Sequence, residues 1–191
     1  MPGSGTTTTG PGTAVDGRES GDLDSIDMPA PDPALRVLFV CTGNTCRSPL
    51  AVLALRAELG DDAALVEITS AGTAASTGQP ASEGSQRVAA ADGYDLSEHR
   101  SRPVTIEMVR RMDHVFVMGL GHLAAVEALG VPRDKLHLVS DWPEPGDPEL
   151  PVFDPFGASF EAYEECWRRL RRHARRIAPR VRQAVRERRG S

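Results

Sequence analysis

The chain of 191 residues lacks long hydrophobic runs and has few cysteines. No segment approaches the ~18 consecutive apolar residues of a membrane span, and no charged-then-apolar signal peptide opens the sequence, so neither a membrane partner nor secretion is expected. Three cysteines, two of them five positions apart, do not form a disulfide framework and indicate a reducing, cytoplasmic setting. Internal repeats are also lacking, and the 40% hydrophobic content predicts one ordinary domain plus tails.

The two ends of the chain differ in charge, although the net charge is only −5. Residues 1–33 are rich in Gly, Pro, Ser, Thr and Asp, and we predict a disordered tail there because so little apolar surface can be buried. Residues 168–189 hold eleven of the 22 Lys and Arg residues. They are interpreted as a solvated helix face, and the alternative is an anionic partner or a field that attracts phosphorylated substrates. Nucleic acid is not expected as a partner, and the oligomeric state stays open.

Strand-like apolar segments alternate with helical patterns between these tails. The predicted strands are Arg36–Val40, Leu65–Ser70, His114–Met118 and Leu136–Ser140, and the predicted helices are Pro49–Glu58, Pro80–Asp92, Thr105–Arg111, Gly121–Leu129 and 157–177. Alternation of this kind predicts an α/β fold with a parallel sheet and right-handed crossovers. The domain is predicted over 34–178, with 179–191 as a basic tail or a helix extension. Ligands of such sheets bind at the carboxyl ends of the strands.

The first strand runs directly into the most informative segment, Cys41-Thr42-Gly43-Asn44-Thr45-Cys46-Arg47-Ser48-Pro49. Backbone N–H groups of a loop between a strand and a helix form a nest for an anion, and the helix N-terminus adds positive potential. Both favour the thiolate form of Cys41. Arg47 can hold two phosphate oxygens with its planar guanidinium, while Gly43 and Asn44 tolerate a left-handed backbone. The segment therefore predicts a cysteine nucleophile that acts on a phosphoryl group.

The spacing of cysteine and arginine alone is weak evidence, because Cys166 also precedes an arginine, Arg172, by six positions. That second segment contains no glycine and is typical of a continuous amphipathic helix. The N–H groups of a helix interior are already bonded along the axis. We therefore interpret Cys166 as a small buried apolar residue.

Attack on phosphorus by a thiolate also requires an acid that protonates the leaving group. Three candidates lie in the Pro-rich segment 141–155, namely Asp141, Asp147 and Asp154. Their spacing from the loop does not distinguish them.

Five blocks of the sequence resemble the low-molecular-weight protein tyrosine phosphatases in the same order. The blocks are Val37–Pro49, Thr69–Thr73, Asp95–Arg102, Asp113–Met118 and Asp154-Pro155-Phe156-Gly157. The resemblance covers most of residues 35–178. It implies a flavodoxin-like, three-layer fold with a four-stranded parallel sheet, a phosphorylated protein as substrate, and neither a metal nor an organic cofactor.

The resemblance also assigns roles to individual residues. Asp154 becomes the acid, and Cys41 and Arg47 complete the catalytic set through a cysteinyl-phosphate intermediate. The expected phosphate- and substrate-binding residues are Thr42, Gly43, Asn44, Thr45, Cys46, Ser48 and Phe156, with Ser70 and His99 supporting the loop. Cys46 either forms a reversible disulfide with Cys41 under oxidation or only packs.

Two positions depart from the tyrosine-specific pattern and bear on the substrate. Thr45 stands where an aliphatic residue is usual, and Gly157 stands where a second aromatic residue usually follows Phe156. Both features resemble the arginine-phosphatase branch of the family. They make the entrance of the site more polar and less aromatic, which suits a phosphorylated guanidinium. Phosphoarginine is therefore favoured slightly, and phosphotyrosine is the alternative.

Two other classes of protein fit the sequence less well. An arsenate reductase uses a similar loop but needs further cysteines to resolve its thiol adduct, and the chain has none between Cys46 and Cys166. A catalytically inactive phosphopeptide-binding module would be expected to have lost Cys41, Arg47 or Asp154, and all three are present.

Overall fold

The computed structural model describes residues 32–142 and 152–190. The tail that is predicted over 1–33 therefore lies outside the described residues except for its last two positions, and Asp147 lies outside them as well. No helix in the described part of the chain combines the length and the hydropathy needed to cross a membrane.

Four parallel strands form one sheet in the order β2-β1-β3-β4. They span Leu35–Cys41 (β1), Val66–Gly72 (β2), His114–Val117 (β3) and Leu136–Leu138 (β4). β1 pairs with β2 on one side and with β3 on the other, and it is buried at almost every position, which explains its nearly continuous apolar sequence. The predicted α/β class with a four-stranded parallel sheet is confirmed.

Helices cover both faces of this sheet. They span Arg47–Leu59 (α1), Glu83–Ala91 (α2), Ile106–Arg110 (α3), Leu120–Glu127 (α4) and Phe160–Arg189 (α5), with short 3-10 turns at Gly60–Leu65 and Arg133–Lys135. Val37 and Phe39 of β1 pack in one core with α1, α2 and α5, whereas Leu38 and Val40 pack in the other with α3 and α4. Side chains of a strand alternate between its faces, so β1 contacts the layer of helices on each side of the sheet.

The last helix continues through most of residues 179–191, for which the sequence leaves a basic tail or a helix extension open. The helical pattern itself predicts 157–177, and α5 spans Phe160–Arg189 and contains Pro179 without ending there. Proline removes a backbone donor and usually interrupts a helix. Here Ile177 and Val181, on either side of Pro179, are each 1% exposed. Packing against the core therefore carries the helix through residues 179–189.

The fourth strand is shorter than predicted, because it ends at Leu138 instead of Ser140. The carboxylate of Asp141 accepts the backbone N–H of Leu138 at 2.8 Å, which turns the chain out of the sheet. Asp141, one of the three candidate acids, thus binds the backbone of its own turn.

Candidate active site

Cys41 is the last residue of β1 and lies at the carboxyl edge of the sheet. Its register partner on β2 is Gly72. A Cβ atom added to Gly72 would lie 2.4 Å from the carbonyl oxygen of Thr42 and 2.9 Å from the backbone nitrogen of Asn44. Only glycine lets the loop pass this close to β2. The loop is anchored further by Thr73, whose N–H donates to the Cys41 carbonyl at 2.9 Å.

Asn44 is fully buried and is the only non-glycine residue with a left-handed backbone in the described segments (φ 56°). Its Nδ2 donates to the hydroxyls of Ser48 and Ser70 at 2.8 and 2.9 Å, and its Oδ1 accepts the N–H of Arg102 at 3.0 Å. His99 Nε2 lies 2.6 Å from the Asn44 carbonyl oxygen. Together these contacts hold a conformation that costs on the order of 1–2 kcal/mol for a residue with a side chain.

The neutral form of the His99 ring is favoured in this position. Burial lowers its pKa, and the hydrogen bond to the Asn44 carbonyl acts in the opposite direction. A carbonyl oxygen only accepts, so Nε2 must carry the proton of the neutral ring.

The sulfur of Cys41 receives two hydrogen-bond donors. The Asn44 backbone N–H points to it at 3.3 Å, and the Ser48 hydroxyl lies 3.0 Å away. Because Asn44 Nδ2 already donates to the Ser48 oxygen, the hydroxyl proton is left for another acceptor. The competing acceptor, the Ala71 carbonyl, is more distant at 3.4 Å. Both donors stabilise a thiolate on Cys41.

Arg47, the first residue of α1, has a side chain that is 7% exposed. Its Nη1 donates to the Val152 carbonyl and its Nη2 to the Thr42 hydroxyl, each at 3.3 Å. Nη2 also forms an ion pair with Asp154, whose side chain is 43% exposed. Nε of Arg47 is buried and has no hydrogen-bond partner among the described residues. Nε is therefore a buried donor whose hydrogen bond is not made within the described part of the chain.

Cys46 lies where the loop meets the start of α2. Its thiol donates to the Ser82 hydroxyl at 3.1 Å, and its sulfur is 3.9 Å from the Tyr163 hydroxyl. Ser82 caps α2 and donates its N–H to the Thr45 carbonyl at 2.9 Å. All three cysteines are free, so Cys46 packs in this structure and its disulfide with Cys41 stays a prediction.

A cavity of about 580 Å³ opens over the loop. The predicted residues in its walls are Cys41, Thr42, Gly43, Thr45, Cys46, Asp154 and Phe156. Phe156 is 72% exposed, and Glu83 at the first turn of α2 completes the charged part of the wall. No group of three or more His, Cys, Asp or Glu side chains in the described segments is placed to hold a metal ion.

Cys166 lies inside α5 and is fully buried, in agreement with its interpretation as an apolar residue. Burial raises the pKa of its thiol to about 12, which Arg47 counteracts only in part. A thiol with this pKa stays protonated at neutral pH.

His122 was not predicted as a site residue. It lies in the first turn of α4, and its Nε2 is 2.9 Å from the Thr42 hydroxyl. Burial and, secondly, the charge of Arg47 lower its pKa. One signal in the sequence could have indicated it, since a polar residue just after the carboxyl end of a central strand lies where parallel sheets bind ligands.

The fold and the site are those of a phosphohydrolase with a cysteine in the loop after the first strand. The loop lies at the carboxyl edge of a parallel sheet, and its arginine contacts a carboxylate. Residues 36–188 match the family model described as low molecular weight phosphotyrosine protein phosphatase. The chain belongs to this family, and the predicted family and phosphohydrolase class are confirmed.

Relatives named as protein-tyrosine-phosphatases and a relative named as a protein-arginine-phosphatase match the chain about equally well. The low-molecular-weight protein-tyrosine-phosphatase Etp of Escherichia coli K12 is 36% identical over 146 residues, which cover 76% of this chain and 93% of Etp. The protein-arginine-phosphatase of Geobacillus stearothermophilus is 36% identical over 129 residues, or 67% of this chain and 83% of that protein. The solved structure of the YwlE arginine phosphatase from the same organism aligns with a TM-score of 0.69 and 33% identity over 80% of this chain and 96% of its own.

Proposed function

We propose that the chain hydrolyses phosphorylated protein side chains through a cysteinyl-phosphate intermediate on Cys41. The ion pair between Arg47 and Asp154 is the observation that carries this proposal. A phosphoryl group held by the arginine and the loop N–H groups would lie close to both the thiol and the carboxyl group.

In the first half of the proposed cycle, the Cys41 thiolate attacks phosphorus while the bond to the substrate oxygen or nitrogen breaks. Asp154 leaves Arg47, takes up a proton from solvent as its ion pair is lost, and gives this proton to the departing atom. Arg47 and the loop N–H groups stabilise the charge on the equatorial oxygens, and the buried Nε of Arg47 is one donor for that purpose.

In the second half, Asp154 accepts a proton from water, and the water oxygen attacks the phosphorus of the cysteinyl phosphate. The S–P bond breaks and inorganic phosphate is released. The hydroxyl of Ser48 and the N–H of Asn44 stabilise the leaving thiolate, as their distances to the sulfur support.

Protein phosphoarginine is the substrate we propose. Thr45 places a hydroxyl in the cavity wall, and apart from the cysteines the ionisable side chains in that wall, Asp154 and Glu83, are both carboxylates. A positively charged guanidinium fits such a mouth better than a neutral phenyl ring. A catalytic thiolate also suits the reducing, cytoplasmic setting that the cysteine content predicts.

Phosphotyrosine is the second candidate, and Phe156 is the observation that favours it. Its ring lines the cavity and is largely exposed, so it could stack on a phenyl ring that enters the site.

The two substrates are separated by measuring kcat/KM for a phosphoarginine peptide and a phosphotyrosine peptide of the same sequence. We expect the wild type to prefer phosphoarginine, and Thr45→Ile to lower that activity about tenfold while sparing phosphotyrosine. Thr45→Val is the matched variant, because it removes only the hydroxyl. A wild type that hydrolyses phosphotyrosine alone would establish the second candidate, and one that hydrolyses neither would refute the phosphatase proposal.

A further inference from the structure

We propose that His122 is a positioning residue, which fixes the hydroxyl of Thr42 and through it the guanidinium of Arg47. The inference rests on the proposed function, since Arg47 is the group that would hold the phosphoryl moiety. His122 lies 80 positions from Thr42 in the sequence but within hydrogen-bond distance of it, with Nε2 2.9 Å from Oγ1.

The backbone places His122 firmly. It lies in the first turn of α4, and its N–H donates to the Gly119 carbonyl at 3.1 Å. The strand that precedes it is tied to β1, because the Met118 N–H donates to the Val40 carbonyl next to Cys41 at 3.2 Å. Both partners of the His122–Thr42 contact therefore start from adjacent strands of the sheet.

Chemistry fixes the direction of the hydrogen bond between Arg47 and Thr42, whereas the direction between Thr42 and His122 is part of the proposal. A guanidinium only donates, so Arg47 Nη2 donates to Thr42 Oγ1. We assign the hydroxyl proton to His122 Nε2, which puts the proton of the neutral ring on Nδ1, a buried atom without a hydrogen-bond partner among the described residues. A hydroxyl that accepts from a cation is a stronger donor, so each bond strengthens the other.

The hydrogen bonds that join His122, Thr42 and Arg47 matter because Arg47 has few other contacts. Asp154 must leave the arginine in order to protonate the leaving group. The Val152 carbonyl and the Thr42 hydroxyl are then the remaining hydrogen-bond acceptors of Arg47 among the described residues. Without His122, Thr42 would lose the contact that selects its rotamer, and Arg47 would lose one of its two anchors as charge develops on the phosphoryl oxygens.

A double-mutant cycle tests the inference with p-nitrophenyl phosphate as the substrate. His122→Phe keeps a ring but removes the acceptor, and Thr42→Val removes the hydroxyl at equal size. We expect each change to lower kcat/KM about tenfold, mainly through kcat, and the double variant to be no worse than either single one. His122→Gln, whose amide oxygen can accept the same proton, should restore much of the loss.

The matched control is His137→Phe, since His137 is also half-buried, also has a pKa lowered mainly by burial, and does not line the cavity. It should leave kcat/KM unchanged. The inference would be overturned if the losses of the two single variants multiplied in the double variant. It would also be overturned if His122→Gln were as slow as His122→Phe.

The dissociation constant of inorganic phosphate gives a second readout that does not depend on turnover. We expect both single variants and the double variant to weaken phosphate binding to the same extent. If the wild type has no phosphatase activity but this pattern appears, the proposed function fails and the positioning role stands. If phosphate binds all variants equally, the positioning role fails.

Discussion

The loop at 41–47 and the helical segment at 166–172 share the spacing of cysteine and arginine but differ in backbone. In the loop, Asn44 adopts a left-handed conformation and its N–H points to the Cys41 sulfur. In α5 the corresponding N–H groups belong to a regular helix, and Cys166 is packed in the core. The comparison indicates that the suitability of such a segment for an anion depends on the conformation between the two residues and not on their separation in sequence.

The electrostatic environments differ in the same way. The Cys41 sulfur has two donors and opens into the cavity, whereas burial raises the pKa of Cys166 to about 12. Arg47 is held among three acceptors, whereas Arg172 is exposed on the helix surface. Cys166 is therefore a control for Cys41, and Arg172 is a control for Arg47.

The strongest contrast is expected between the two cysteines. Cys41→Ser removes the thiolate and should lower kcat by about 10³-fold or more, as loss of a nucleophile does. Cys166→Ser should leave kcat nearly unchanged and lower the free energy of unfolding by about 1–3 kcal/mol, because it buries a hydroxyl. Steady-state kinetics and urea unfolding measure both effects.

Retained activity in Cys41→Ser, or loss of activity in a folded Cys166→Ser protein, would refute the assignment of the nucleophile.

A smaller contrast is expected between the two arginines. Arg47→Lys keeps the charge but loses the planar pair of donors, so kcat/KM should fall about 100-fold. Arg172→Lys should have no effect on kcat/KM, since its side chain lies on the exposed face of α5. An unchanged kcat/KM in Arg47→Lys as well would mean that positive charge, and not the geometry of the guanidinium in the loop, accounts for phosphate binding.

Local patterns made much of this structure predictable. The apolar run of β1, the glycine and asparagine of the loop and the alternation of elements are all readable without tertiary contacts. Among the three candidate acids, only the family resemblance selects Asp154, because its contact with Arg47 joins residues 107 positions apart. No local rule predicts such a distance.

The contacts that were missed depend on packing between elements. His122 and Thr42 come from different crossovers of the sheet, and Cys46 meets Ser82 only because α2 begins beside the loop. The passage of α5 through Pro179 is decided by burial of Ile177 and Val181, which outweighs a strong local signal against helix.

The smallest expected effect concerns the stability of the α5 segment and its dependence on pH. His173 lies next to Arg172, is 7% exposed, and has a buried Nδ1 without a partner among the described residues. Burial, and then the charges of Arg172 and Arg169, lower its pKa to about 4. The unfolded chain, with a pKa of about 6.5, binds the proton first as the pH falls. The contribution of His173 to stability is therefore largest above pH 6.5 and is lost as the pH falls toward 4.

Between pH 7.5 and pH 5, the preference of His173 for the neutral form should lower the free energy of unfolding of the wild type by about 1–2 kcal/mol. His173→Leu should remove that part of the loss. Urea unfolding of both proteins at the two pH values measures it, and an unchanged pH dependence in the variant would show that His173 is not held neutral by the core of α5.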